Sequence, residues 1–173
     1  METEAPSRDV CIVGVARRPC GSLQGKRSAL KASDLAGVAI KEALSRVGVQ
    51  PTDVEELILG HVISAGAGQA PTKQAAVSAG LPQSVVCSSV NKVCASGMKA
   101  VMLGAQSIML GQRDVVVVGG MERKLAVGRD TGTCDGLFNA FENIPMGDIA
   151  EECARKHDIS REAQDAYAAE SYP

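Results

Sequence analysis

The stretch SVVCSSVNKVCASGMKAVMLGAQSIMLGQRDVVVVGG, residues 84–120, decides the fold. Its opening, SVVCSSV (84–90), is short, apolar and rich in valine, which reads as a strand. After a short turn, residues 95–110 take up a helical pattern that ends at Gly111. Residues 114–118 then run into Gly119-Gly120, and the block Val115-Val116-Val117-Val118 is continuous rather than alternating. Continuous apolar strands belong to parallel sheets covered on both faces. Strand, helix and strand in that order make a parallel crossover unit and put the chain in the α/β class.

The helix of this unit is apolar almost all round. Met98, Val101, Met102, Leu103, Ala105, Ile108, Met109 and Leu110 leave only Lys99, Gln106 and Ser107 as polar positions. A helix apolar on every side is buried on every side. One sheet covers one face of it, so a second domain or a partner chain is expected on the other.

Outward from this unit the same alternation recurs. Residues 10–15 (VCIVGV) read as a first strand, stopped by Arg17-Arg18-Pro19, and residues 21–28 read as a loop. Ser33 offers an N-cap to a helix in which Leu35, Val38, Ala39, Ala43, Leu44 and Val47 recur, with Gly48 and Pro51 ending it. Residues 57–63 form another apolar run, and residues 72–79 a small alanine-rich helix closed by Gly80 and Pro82. Residues 121–145 have no clear period. Two helical patterns follow, 146–156 and 161–171, the second capped by Ser160.

Composition excludes several classes of function. The chain has 173 residues, 45% hydrophobic and 22% charged, with a formal net charge of -2, so no polyanionic partner is expected. Aromatic residues are 2% and tryptophan is absent, which removes base-stacking modes of nucleic-acid binding. Residues 1–10 have neither the apolar core of a secretory leader nor the arginines of a transit peptide. No run reaches the roughly 18 apolar residues of a membrane helix. The six cysteines, Cys11, Cys20, Cys87, Cys94, Cys134 and Cys153, have no CxxC or zinc-type spacing. A reduced, cytoplasmic setting is expected, with no metal, no nucleic acid and no membrane.

Chemistry is concentrated at Cys94. It stands where a strand turns into a helix, so backbone N–H groups and the positive end of the helix dipole converge on its sulfur. Those N–H groups could also receive the oxyanion of an attached thioester. Gly97 permits close approach of backbone or ligand, and Ser96 can satisfy early helical donors. By spacing alone, the commoner reading is a buried structural cysteine. The two histidines, His61 in a strand-like run and His157 near a helix end, read as structural or surface residues.

The wording NKVCASGMKA (91–100) resembles the acyl-enzyme motif of thiolases, and within them the acetyl-CoA C-acetyltransferases. The likeness covers nearly the whole chain. Residues 13–18 resemble the family's first strand and turn. GHVISAGAGQ (60–69), with Lys73-Gln74-Ala75-Ala76, resembles the segment that builds the dimer contact. DVVVVGGME (114–122) resembles the strand after the catalytic helix, and Met146-Gly147, Ala150-Glu151, Ile159-Ser160-Arg161 and Gln164-Asp165 resemble later helices.

The resemblance implies the N-terminal half of the layered thiolase fold, a mixed sheet with covering helices. Residues 1–121 would form the α/β domain, and residues 122–173 a shortened loop domain with its following helices. It implies Cys94 as the acyl-thioester nucleophile and Met146 as a substrate-binding residue near the acyl pocket. Acetyl-CoA and CoA would be substrates rather than cofactors, and the full-length family forms homo-oligomers. The expected reaction condenses two acetyl-CoA to acetoacetyl-CoA and CoA, reversibly, in lipid metabolism. The family's Gly-His-Pro base, Cys-x-Gly-Gly-Gly acid/base and Asn-Glu-Ala-Phe segment do not occur in these residues. The sequence therefore reads as a shortened form, impaired alone. The alternatives are a non-catalytic chain that dimerises with full-length thiolase and a thiolase of broader 3-oxoacyl chain length. Arg123-Lys124-Leu125 replaces the family's Ser-Met-Ser-like segment and shortens the loop, which bears on tetramer formation.

Overall fold

A computed structural model of the chain describes residues 8–21, 25, 29–123 and 135–172. Cys134, Lys124 and Leu125 lie outside them, as do most of residues 21–28 and the first seven residues. The chain forms two compact units, residues 1–128 and 129–173, where the sequence suggested a break after residue 121.

The first unit is built on three strands, β1 (Glu56–Gly60), β2 (Val86–Val90) and β3 (Val116–Gly120), in the order β2-β1-β3. Both pairings are parallel, so the described sheet is not mixed. Register places Leu57 beside Cys87 and Val117, and Gly60 beside Val90 and Gly120. Because side chains alternate along a strand, the two faces of the sheet belong to different residues.

One face carries Leu57 and Leu59, both fully buried, with Cys87, Val115 and Val117 packed against the same cluster. It is covered by α1 (Ala32–Val47) and α2 (Pro71–Ala79). From α1 come Ala32, Ala36, Ile40 and Leu44, spaced every four residues; from α2 come Ala75, Ala76 and Ala79. This stripe is rotated from the expected one: Leu44 is shared, but Val38 and Val47 are exposed. The N-cap of α1 is Lys31, not Ser33; the Lys31 N–H donates to the Asp34 carboxylate at 3.2 Å, and Ser33 is buried in the first turn. At the other end Gly48, at φ 69°, takes the left-handed conformation that lets Val49 N–H reach Leu44 O.

The opposite face carries Ile58, Val116 and Val118, and α3 (Ser96–Met109) lies on it. Close packing there depends on Gly104, because a Cβ at that position would fall 2.5 Å from Val118 Cγ1. Ala100 is fully buried and Ser107 donates to Glu56 Oε2 at 3.0 Å, tying the end of α3 to the start of β1.

The expected strand at residues 10–15 does not form. These residues make no ladder, and Ile12, Val13 and Val15 are 78%, 69% and 69% exposed. An apolar run becomes a strand only when a sheet edge accepts its backbone. This segment is held by other contacts: an Arg8–Asp114 ion pair, a hydrogen bond from Arg46 Nη1 to Val15 O at 3.1 Å, and Gly14 packed under Val47.

The second unit contains α4 (Met146–Lys156) and α5 (Arg161–Glu170). Ser160 caps α5 as expected, its Oγ accepting from Ala163 N–H at 3.2 Å. The Glu162 backbone N–H, then the Ser160 hydroxyl, hold the Glu162 carboxyl below its ordinary range.

Candidate active site

Because β1, β2 and β3 are parallel and in register, their C-terminal ends Gly60, Val90 and Gly120 finish together. In open parallel sheets, ligands bind outside this edge. The chain leaving each strand is tied to its neighbours. His61 N–H donates to Val90 O at 3.0 Å, and Met121 N–H to Gly60 O at 2.9 Å. The Glu122 carboxylate, one residue further along, accepts from Val62 N–H at 2.9 Å and Ile63 N–H at 3.2 Å.

From β2 the chain enters the turn that carries Cys94. Asn91 Oδ1 accepts from Val93 N–H at 2.9 Å, an Asx-turn, while Asn91 Nδ2 reaches Val62 O at 3.4 Å. Ser96 closes the turn from the other side. Its Oγ accepts from Lys92 N–H at 2.8 Å and donates to Val93 O at 2.6 Å. Ser96 therefore serves the turn before the helix, rather than the early helical donors it was expected to satisfy. Between these anchors Val93 sits at φ 48°, in the left-handed region. For a β-branched residue that conformation costs on the order of 1–3 kcal/mol.

Cys94 directly precedes Ala95, the N-cap of α3, and its side chain is exposed. No side chain caps the first turn of α3; turn carbonyls take Ala95 N–H (Lys92 O, 3.1 Å) and Ser96 N–H (Val93 O, 3.0 Å), and the cysteine lies at the positive end of the helix dipole. The helix start sits very close to β1. A Cβ at Gly60 would lie 2.5 Å from the Ser96 carbonyl carbon and 2.6 Å from Gly97 N. At Gly97 itself a Cβ would meet nothing within 4 Å, which leaves room for a ligand beside the turn. Cys94 is thus exposed among the described residues rather than packed in the core.

Cys87, seven residues earlier in β2, shows the contrast. It is partly buried against the α1–α2 cluster, and burial raises its thiol above the ordinary range; Lys73 opposes that shift and Glu56 adds to it. Cys11, Cys20 and Cys153 are exposed, and all five described cysteines are free.

His61 is buried, as its structural reading requires, with Nε2 3.5 Å from Glu122 Oε1. It borders a cavity of about 400 Å³ whose lining includes Lys31, Ser33 and Gln74 but not Cys94. His157 ends α4 on the surface. Met146 is the first residue of α4, in the second unit, and is 47% exposed. Among the described residues no group of three or more His, Cys, Asp or Glu side chains could hold a metal, and no helix is long and apolar enough to cross a membrane.

Three contacts around the turn, from Asn91, Ser96 and Glu122, were left out by reading the sequence for a nucleophile. Asn91 two residues before Val93 is an Asx-turn signal and was legible. The backward reach of Ser96 and the anchoring role of Glu122 had no local signal, because both depend on residues brought together by the fold.

The family profile for the thiolase N-terminal domain matches residues 10–126 and 124–173. Acetyl-CoA acetyltransferase 2 of Arabidopsis thaliana is 50% identical over 182 aligned positions, covering 95% of this chain and 45% of that protein. The acetyl-CoA acetyltransferase of Schizosaccharomyces pombe is 46% identical, covering 95% of this chain and 46% of that protein. Among solved structures, the Acat5 thiolase of Ascaris suum in complex with coenzyme A superposes with a TM-score of 0.86 at 37% identity, over 95% of this chain and 47% of that one. The chain thus spans a little under half the length of these relatives.

Proposed function

The chain belongs to the thiolase family through its N-terminal domain, and from that premise we propose that Cys94 is the acyl-accepting nucleophile of an acetyl-CoA C-acetyltransferase reaction. The observation that carries this reading is the exposed sulfur at an uncapped helix N-terminus, on a strained turn at the C-terminal edge of a parallel sheet. In the first half-reaction the Cys94 thiol loses its proton to solvent, and Sγ bonds to the thioester carbonyl carbon of acetyl-CoA. The tetrahedral oxyanion is stabilised by the positive end of the α3 dipole. Its collapse breaks the bond to the CoA sulfur, which leaves as CoA thiol with a proton from solvent, and Cys94 retains the acetyl group.

The second half-reaction removes an α-proton from another acetyl-CoA, and the carbanion attacks acetyl-Cys94 to give acetoacetyl-CoA. That step needs a positioned base. These residues contain neither the family's base for the nucleophile nor its acid/base for the α-proton, so acylation of Cys94 is expected to be slow and condensation not to follow. The longer relatives and the match to a coenzyme A complex support CoA thioesters as substrates. Met146 as a pocket residue, self-association and a cytoplasmic place in lipid metabolism belong to the same proposal.

The test is acetyl-CoA labelled in its acetyl group, followed by peptide mass spectrometry. The expected result is one acetyl group on Cys94, none in Cys94→Ser, and no acetoacetyl-CoA formed by the 173-residue chain. Label confined to other residues, or retained by Cys94→Ser, would overturn the assignment.

A further inference from the structure

We propose that Asn91 and Ser96 are positioning residues for Cys94, holding the strained turn that presents its sulfur at the start of α3; this rests on the assignment of Cys94 as nucleophile. Three observations converge on it. First, both side chains bond to Val93: Asn91 Oδ1 takes its N–H at 2.9 Å, and Ser96 Oγ gives to its C=O at 2.6 Å, beside the Ser96 backbone N–H at 3.0 Å. Second, Val93 is a β-branched residue at φ 48°, a conformation that persists only where surrounding contacts over-determine it. Third, both anchors are themselves fixed. Ser96 is 4% exposed and sits against the Gly60 backbone, and it also receives Lys92 N–H at 2.8 Å. Asn91 reaches Val62 O, in a segment that the Glu122 carboxylate holds through Val62 and Ile63.

The result is a connected support running from the end of β3, through the segment after β1, to the turn after β2. Neither Asn91 nor Ser96 needs to touch the acetyl group. Removing either side-chain group loosens the hold on Val93, which keeps only the Ser96 backbone N–H on its C=O when the hydroxyl is gone, and the residue that follows it, Cys94, moves with the backbone. A nucleophile displaced by about 1 Å can lose on the order of 100-fold in rate.

The experiment measures single-turnover acetylation of Cys94 over a range of acetyl-CoA concentrations, in Ser96→Ala, Asn91→Ala and Asn91→Asp, with thermal melts alongside. Expected for Ser96→Ala and Asn91→Ala is a maximal rate lower by about 10- to 100-fold, at an unchanged half-saturating concentration. Asn91→Asp keeps the acceptor for Val93 N–H but loses the donor to Val62 O, and a rate between those of Asn91→Ala and wild type is expected. Asn91 is exposed, so its variants keep the test open should Ser96→Ala fail to fold. Wild-type rates in folded Ser96→Ala and Asn91→Ala would overturn the proposal, as would Asn91→Asp as slow as Asn91→Ala. If wild-type Cys94 takes no acetyl group at all, the nucleophile assignment fails and this proposal falls with it.

Discussion

The two faces of the three-stranded sheet are built to different standards. The face of Leu57 and Leu59 is sealed by α1 and α2, and its cluster is buried throughout. The face of Ile58 and Gly60 has α3 as its cover, and α3 is lined on its inner side by small residues, Ser96, Ala100, Gly104 and Ser107. Its outer side leaves Met98, Met102, Met109 and Leu110 between 51% and 72% exposed. Val86, at the β2 edge of the same face, is 44% exposed. The first face supplies the stability of the unit; the second brings one helix start so close to the sheet that Cys94 is set at its edge. Small inner residues serve close approach, and they bury little apolar area in doing so.

The largest expected contrast is in stability. Leu57→Ala empties the sealed face and is expected to cost about 2–5 kcal/mol, whereas Met102→Ala on the outer side of α3 is expected within about 0.5 kcal/mol of wild type. Chemical denaturation of both variants checks this, and equal losses would break the distinction between the faces. A smaller effect is expected from Gly60→Ala, which drives a methyl group into the Ser96–Gly97 backbone. Overpacking there is expected to cost about 1–3 kcal/mol, with slower acetylation of Cys94 because the helix start is pushed off the sheet. A fully stable Gly60→Ala with unchanged acetylation would show that the close approach is dispensable.

The smallest effect concerns two thiols of different exposure, Cys87 and Cys11. Burial raises the Cys87 thiol, so its reactive thiolate is scarce through the ordinary thiol range. Iodoacetamide labelling of Cys87 is expected to lag behind that of exposed Cys11 at pH 8 and to rise only at higher pH. The sign for stability follows: a thiol that is harder to ionise in the folded chain contributes stability below its ordinary range, and that contribution is lost as pH rises through the folded value. Equal labelling of the two at pH 8 would count against burial as the cause.

Much of this fold was legible in residues 84–120. Continuous valines, a helical run and its stop signals follow from backbone propensity and period, and the structure has β2, α3 and β3 where those signals stand. The apolar excess of α3 was also legible, and its uncovered outer side is where that excess goes. Residues 10–15 show the limit: composition can favour a strand, but only a neighbouring edge makes one. Ser33 shows another, since Lys31 takes the N-cap through the Asp34 carboxylate while Ser33 is drawn into the interior beside Gln74 at 3.5 Å.

By itself the sequence determined the α/β class, the order of strands and helices between residues 32 and 120, and the cysteine proposed as the nucleophile. Each of these is encoded locally, in period, turn residues and a contiguous motif. Only the tertiary structure decided which side chains hold that cysteine in place. Ser96 reaches back past the helix start, and Gly60 and Glu122 arrive from β1 and from the end of β3. Their contacts join residues far apart in the chain, and hydrogen bonds of a few ångströms exist only once the parallel register has brought the three strand ends together.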